Sequence, residues 1–150
     1  PLDHEIHFRI SAFLSDSYIP DIDQRMAAYR RLARMTDLEE IDDFTNEMID
    51  RYGNPPEEAN NLLFKIMLKI LSKKAGIARL DLTGRQMQLQ FSQIHLKNTQ
   101  ALVDMIQAAP GRYELTPGSI LKVKLAHEQS GGPRGQAKNI LKDIIERVNN

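Results

Sequence analysis

Apolar residues recur every three or four positions through the first half of the chain, which is the spacing of helices that bury one face. The first predicted helix begins after Asp21, a suitable N-cap residue. The second begins with a capping-box pattern at residues 36–39 and ends at Gly53, and the third ends at Gly76. The three apolar stripes are Ile22, Met26, Tyr29, Leu32 and Ala33; Leu38, Ile41, Phe44, Met48 and Tyr52; and Leu62, Leu63, Ile66, Met67, Ile70 and Leu71.

After Gly76 the apolar residues alternate with polar ones, which predicts strands. Residues 77–91 form a predicted hairpin that turns at Thr83-Gly84. Residues 112–125 form a second hairpin that turns at Pro117-Gly118. A fourth helix, beginning at Asn98 or Thr99, separates the two hairpins.

The glycine-rich stretch at residues 130–136 is predicted to be a flexible loop before a last amphipathic helix. Alternation at residues 7–10 could form a short strand near the start. The order of elements predicts an α+β fold, with N-terminal helices followed by β-β-α-β-β-α and one antiparallel sheet covered by helices. We expect residues 1–20 to be an entry segment and residues 21–150 to be a single domain.

Composition places the chain among ordinary globular domains, with 150 residues, 41% hydrophobic and 27% charged. The apolar run at residues 62–71 contains two lysines and is too short to span a bilayer, so we expect no membrane contact. Cysteine is absent, which excludes disulfides and thiolate chemistry and is compatible with a reducing compartment such as the cytoplasm. We expect the isolated domain to be a monomer.

The sequence contains no motif for catalysis or for a cofactor. The Walker A loop, the G-x-G-x-x-G loop, the G-x-S-x-G elbow and the H-E-x-x-H zinc motif are all missing. His4 and His7 could be a metal pair, but a third ligand is not evident and solvated histidines are the better interpretation. His95 and His127 are isolated and more typical of structural roles. We therefore predict no catalytic, cofactor-binding or metal-binding residues in this chain.

A basic strand and loop face offers an alternative function, namely that of a nucleic-acid-binding accessory domain. Its candidate residues are Arg112, Lys122, Lys124 and Arg134. Only one nearby aromatic residue, Tyr113, could stack on a base, and lysine plus arginine equals aspartate plus glutamate at 20 each. The backbone amides of residues 130–135 could bind an anion, but the preceding strand and the lysine of a phosphate-binding loop are missing, so a plain surface loop is the better interpretation.

Acidic residues concentrate in the second helix and after it. Residues 36–58 hold nine acidic side chains and one basic one, Arg51, a net charge of −8. On a helical projection Glu40, Asp43, Glu47 and Asp50 lie opposite the apolar stripe and form what we call the acidic ridge. Like charges at this spacing disfavour the helix by about 0.2–0.5 kcal/mol per pair.

Two interpretations of the acidic ridge remain open. The first is a solvated face whose charge is offset by arginines of the first helix: Arg25, Arg30, Arg31 and Arg34. The second is a docking surface for a basic patch of another domain or protein, formed by Glu40, Asp43, Glu47, Asp50 and Arg51.

Three segments carry a resemblance to a known family. They are Tyr-Ile-Pro-Asp at residues 18–21, Tyr-Arg-Arg-Leu-Ala at residues 29–33, and Glu-Met-Ile-Asp-Arg-Tyr-Gly at residues 47–53 followed by Pro55-Pro56. The chain resembles, over nearly its whole length, the C-terminal domain of bacterial transcription-repair coupling factors. Tyr52 stands where that family often has phenylalanine, and the second half matches in its order of elements more than in its residues.

The resemblance implies the last module of an ATP-driven DNA translocase that displaces stalled RNA polymerase and recruits nucleotide excision repair. Residues 1–20 would then continue from the upstream translocase, and residues 21–150 would be its single C-terminal regulatory domain. ATP and Mg²⁺ would belong to motor domains outside this chain, and the chain itself would not be an enzyme. In that family the domain docks on a UvrB-like N-terminal module, masks its UvrA-binding surface and restrains the translocase. The acidic residues of the family's contact correspond to Glu47 and Asp50. UvrA, RNA polymerase and duplex DNA would be indirect partners. A third alternative for the function of the chain, beside the regulatory domain and the nucleic-acid-binding domain, is a small hydrolase with an unrecognised site.

Overall fold

The structure is a computed structural model that describes residues 4–92, 98–126 and 131–149. Over these ranges it confirms the predicted α+β class and the order of elements. The elements are β1 (Glu5–Phe8), α1 (Ile22–Ala33), α2 (Leu38–Tyr52), α3 (Glu57–Ala75), β2 (Ile77–Thr83), β3 (Gln86–Phe91), α4 (Thr99–Ala108), β4 (Tyr113–Thr116), β5 (Ile120–Lys124) and α5 (Gly132–Val148). Among the described residues, no helix is long and apolar enough to cross a membrane.

The sheet is mixed rather than wholly antiparallel. Its strand order is β1-β2-β3-β5-β4, and β1 pairs with β2 in parallel while the other three pairs are antiparallel. The antiparallel pairs β2–β3 and β4–β5 are the two predicted hairpins. β1 is joined to β2 through three helices, and a connection of that length permits a parallel pair where a short turn does not.

The two faces of the sheet differ sharply in polarity, as the period-two alternation requires. One row of paired positions across all five strands is apolar and consists of Phe8, Leu82, Met87, Val123 and Tyr113. The next row is polar and consists of His7, Asp81, Gln88, Lys122 and Glu114. Leu80, Leu89 and Leu121 on the apolar face are completely buried.

The chain divides into two compact units, Ile10–Ile70 and the combination of Pro1–Arg9 with Leu71–Asn150. The core of the first unit joins α1 and α2 to the segment before them, and its members include Leu14, Ile19, Leu32 and Phe44. The second unit contains the sheet with α4 and α5. The expected division of the sequence at residue 20 stays a prediction.

The starts of two helices differ from the predicted ones. The capping box of α2 uses Asp37 and Glu40, one residue later than expected, because the backbone amides of Thr36 and Asp37 both donate to the Glu40 carboxylate. The prediction of a loop at residues 130–136 is wrong for residues 132–136, which are helical and begin α5. Gly131 has φ of 84° at the N-cap, and proline suits the first turn because its nitrogen needs no partner there.

Candidate docking surface on the second helix

The acidic ridge lies on the solvent side of α2. Ile41, Phe44 and Met48 are buried on the opposite side, where the periodicity placed them. Asp43 and Asp50 are exposed, and within residues 4–92, 98–126 and 131–149 neither has a cationic side chain within 4.0 Å. These two carboxylates are therefore available to an external partner.

Glu47 is different because it already has a partner. Its carboxylate accepts a hydrogen bond from the Arg31 guanidinium of α1, and the same guanidinium lies 5.2 Å from the centre of the Phe44 ring. Both side chains of this ion pair remain nearly half exposed, at 45% for Arg31 and 44% for Glu47. One arginine of α1 thus offsets part of the ridge, as the first interpretation expected.

Glu40 has a structural task at the start of α2. Its Oε1 accepts from the Thr36 amide at 3.0 Å, the Asp37 amide at 3.2 Å and the Thr36 hydroxyl at 3.1 Å. The hydrogen bond from the Thr36 amide is the largest of the influences that lower the pKa of Glu40. Of the predicted docking residues, Glu40 is the one whose carboxylate is most fully engaged within the domain.

A groove of about 140 Å³ lies between α1 and α2 and was not predicted from the sequence. Its apolar floor includes Ala28 and Phe44, and Gln24 and Arg51 stand at its rim. The Tyr52 hydroxyl donates to the side-chain oxygen of Gln24, and the Arg51 guanidinium lies 5.4 Å from the centre of the Tyr52 ring. The small side chains at positions 27 and 28 leave this space open, and they were the only feature of the sequence from which the groove could have been predicted.

Tyr52 and Tyr18 connect the end of α2 to the segment before α1. Their rings meet edge to face with centroids 5.8 Å apart, and the Tyr18 hydroxyl donates to the Gly53 carbonyl at 2.8 Å. Burial raises the pKa of Tyr18. Both residues belong to the segments that carry the family resemblance, and they hold the C-terminal end of α2 in place.

The histidines do not form a metal site in the part of the chain that the structure describes. The His4 Nδ1 lies 2.6 Å from the Ile77 carbonyl oxygen, and the His7 Nε2 lies 3.2 Å from the Glu5 carboxylate. In the described ranges there is no group of three or more side chains that could hold a metal ion. His95 and His127 lie outside the described residues, as does Ser130.

The residues of the alternative nucleic-acid face do not converge on one surface. Lys122 and Lys124 project from the polar face of the sheet, and Lys122 is paired with Glu114 of the neighbouring strand. The Arg134 guanidinium lies 5.2 Å from the centre of the Phe8 ring, which belongs to the apolar face. Arg112 directly precedes Tyr113, whose side chain is buried in the apolar row. On the polar face, the five strands carry three acidic and three basic side chains. The acids are Glu5, Asp81 and Glu114, and the bases are Arg79, Lys122 and Lys124.

Comparison with known families identifies the domain. The sequence model of the TRCF domain matches residues 8–102, which is more than half of the chain. The chain belongs to the TRCF domain family. This is the C-terminal domain of transcription-repair coupling factor, as the resemblance of residues 18–21, 29–33 and 47–53 indicated.

Relatives of this TRCF domain include two transcription-repair coupling factors. The Escherichia coli (strain K12) protein is 30% identical over 118 residues, or 79% of this chain, and the Myxococcus xanthus protein is 25% identical over 144 residues, or 95% of it. The chain spans only 10% and 12% of the lengths of these two relatives. A crystal structure of a C-terminal domain of transcription-repair coupling factor has the same fold, with a TM-score of 0.76, 19% identity, and coverage of 98% of this chain and 94% of that one.

Proposed function

We propose that this TRCF domain is an autoinhibitory module within its parent protein. In this proposal the acidic ridge of α2 docks on the UvrB-like N-terminal module and masks the surface that binds UvrA. The parent uses ATP and Mg²⁺ in motor domains elsewhere, acts on duplex DNA and RNA polymerase in the bacterial cytoplasm, and is restrained until the domain is released. The domain itself needs no cofactor.

The observation that carries the proposal is the pair Asp43 and Asp50, exposed carboxylates without a cation nearby in the described ranges. Asp50 lies in the last turn of α2, where the helix dipole disfavours a negative charge, so the fold itself gains nothing from it. An arginine patch on a partner would offset this cost at Asp50 and the repulsion between the like charges of the ridge, and it would fix the orientation of docking. Family membership supports the same surface.

The ion pair between Arg31 and Glu47 refines the roles within the ridge. To bind an arginine of the N-terminal module, Glu47 must share its carboxylate with Arg31 or release it. Asp43 and Asp50 have no such competitor among the described residues, and Glu40 is held by its cap. The proposal therefore assigns the larger share of docking to Asp50 and Asp43, with Glu47 and Arg51 beside them.

The test removes two charges without changing the shape of the side chains. In the full-length parent, Asp43→Asn with Asp50→Asn should increase the amount of UvrA retained in a pull-down and raise basal ATPase activity. Asp104→Asn is the control, since it makes the same chemical change at an exposed aspartate of another helix, α4. UvrA retention and ATPase activity that both equal those of the control would refute the proposal.

A further inference from the structure

The outward face of α1 exposes two large apolar side chains that the helical periodicity had assigned to the buried stripe, and that assignment is wrong for both. Ile22 is 62% exposed, and Met26, one helical turn later, is 40% exposed. No other helix in the described ranges exposes more than one large hydrophobic residue; α2 exposes Ile49 at 38%. Side chains four residues apart lie on one side of a helix, so Ile22 and Met26 form a continuous apolar surface.

The same face becomes basic toward the C-terminal end of α1. Arg30 lies one turn after Met26, and Arg34 follows at the C-cap. In the part of the chain that the structure describes, neither has an acidic side chain within 4.0 Å. The other arginines of the helix are engaged, since Arg25 donates to the Ile19 carbonyl at 2.8 Å and Arg31 pairs with Glu47.

We propose that Ile22, Met26, Arg30 and Arg34, which we call the α1 face, bind an acidic amphipathic helix of a protein partner. Two apolar side chains of the partner would cover Ile22 and Met26, and carboxylates one or two turns further along would meet the two arginines. The α1 face extends over about three turns, roughly 18 Å, which matches a short helix.

Charge complementarity selects this occupant over a nucleic acid. A phosphate backbone would satisfy Arg30 and Arg34 but would leave Ile22 and Met26 in contact with water or with anionic groups. The α1 face also differs from the acidic ridge, whose partner must be basic. The domain thus presents two docking surfaces of opposite charge, the acidic ridge and the α1 face. The α1 face goes beyond the proposed function.

The test uses the 150-residue chain and a synthetic helical peptide with leucines along one side and glutamates at one end of that side. In an NMR titration, the amide signals that shift should be those of α1. Ile22→Ser should weaken binding about tenfold, the loss expected when a largely buried aliphatic side chain is removed. Arg30→Gln with Arg34→Gln should weaken binding several-fold and reduce its dependence on salt.

Matched controls make the outcome decisive. Leu115→Ser removes a comparably exposed apolar side chain, 52% exposed on β4 against 62% for Ile22, and should leave the affinity unchanged. A peptide with the same composition in scrambled order should not bind. Met26→Gln replaces Ile22→Ser if circular dichroism shows that the latter is unfolded.

Several results would overturn the proposal: no binding of the peptide, signal shifts outside α1, or equal affinity for the scrambled peptide. Tighter binding of a short DNA duplex that depends on the arginines and not on Ile22 would assign the surface to phosphate instead.

Discussion

Replacing Glu47 with alanine should lower the free energy of unfolding of the chain by only about 0.2–1 kcal/mol, the range typical of exposed ion pairs. The Arg31–Glu47 pair joins α1 to α2, but the two side chains keep 45% and 44% of their exposure. Water and dissolved ions therefore screen the attraction. For a chain of this length the loss corresponds to a decrease of at most about 4 °C in melting temperature.

Replacing Asp50 with alanine should have the opposite sign or no effect on stability. Its carboxylate lies in the last turn of α2 without a cationic partner among the described residues. Removing an anion from that end of a helix gains about 0.3–1 kcal/mol when the site is exposed. Glu47→Ala and Asp50→Ala should therefore differ in their effect on the free energy of unfolding, because Arg31 pairs with Glu47 and not with Asp50.

Urea denaturation would measure these energies for the wild type, for Glu47→Ala, Asp50→Ala and Arg31→Gln, and for the double variants Arg31→Gln/Glu47→Ala and Glu47→Ala/Asp50→Ala. The double-mutant cycle should give a coupling of at most about 1 kcal/mol that decreases at high salt. A loss above about 2 kcal/mol for Asp50→Ala, or unfolding of Glu47→Ala/Asp50→Ala at neutral pH, would refute the reasoning. The carboxylates would then hold the domain together, and the docking proposal would lose its basis.

Three further predictions concern the fold. Phe44→Ala should cost about 3–5 kcal/mol in urea denaturation, because Phe44 is 1% exposed and its ring also contacts Arg31; a loss below 1 kcal/mol would contradict this packing. Because the folded pKa of Glu40 lies below its ordinary value of 4.5, its contribution to stability is present above that pH and is lost as pH falls through the folded pKa. Glu40→Gln should therefore reduce the loss of unfolding free energy as the pH falls below about 4.5. An unchanged dependence of that free energy on pH would contradict the role of Glu40 in the capping box. Gly84→Val should lower the melting temperature, since Gly84 turns the β2–β3 hairpin with φ of 58°, a conformation that costs other residues about 1–2 kcal/mol; Thr83→Val is the control.

The helices and hairpins were predictable because their signals are local. Each amphipathic helix repeats its apolar residues at the helical period, and Asp21 and Asn98 cap helices as expected, with Asp21 accepting from Gln24 at 2.9 Å. The capping box of α2 was misplaced by one residue, because Thr36 and Asp37 are both good N-cap residues and only the hydrogen bonds to Glu40 distinguish them. The start of α5 was missed because glycine and proline usually interrupt helices, although both fit a first turn.

The class of the fold, the buried stripe of α2 and the concentration of acid on α2 could be predicted from the sequence, since these depend on the order of residues within a single helix or strand. The stripe predicted for α1 was only partly right, because Ile22 and Met26 are exposed to solvent while Leu32 is buried. Tertiary structure decided what depends on distant residues meeting. β1 pairs in parallel with a strand about seventy residues later, Arg31 reaches Glu47 rather than Asp50, and Arg134 lies on Phe8 instead of beside Lys122. A pattern along one helix cannot reveal which acid has a cation from another helix nearby, and for that reason the free carboxylates of Asp43 and Asp50 became evident only once α1 and α2 were packed together.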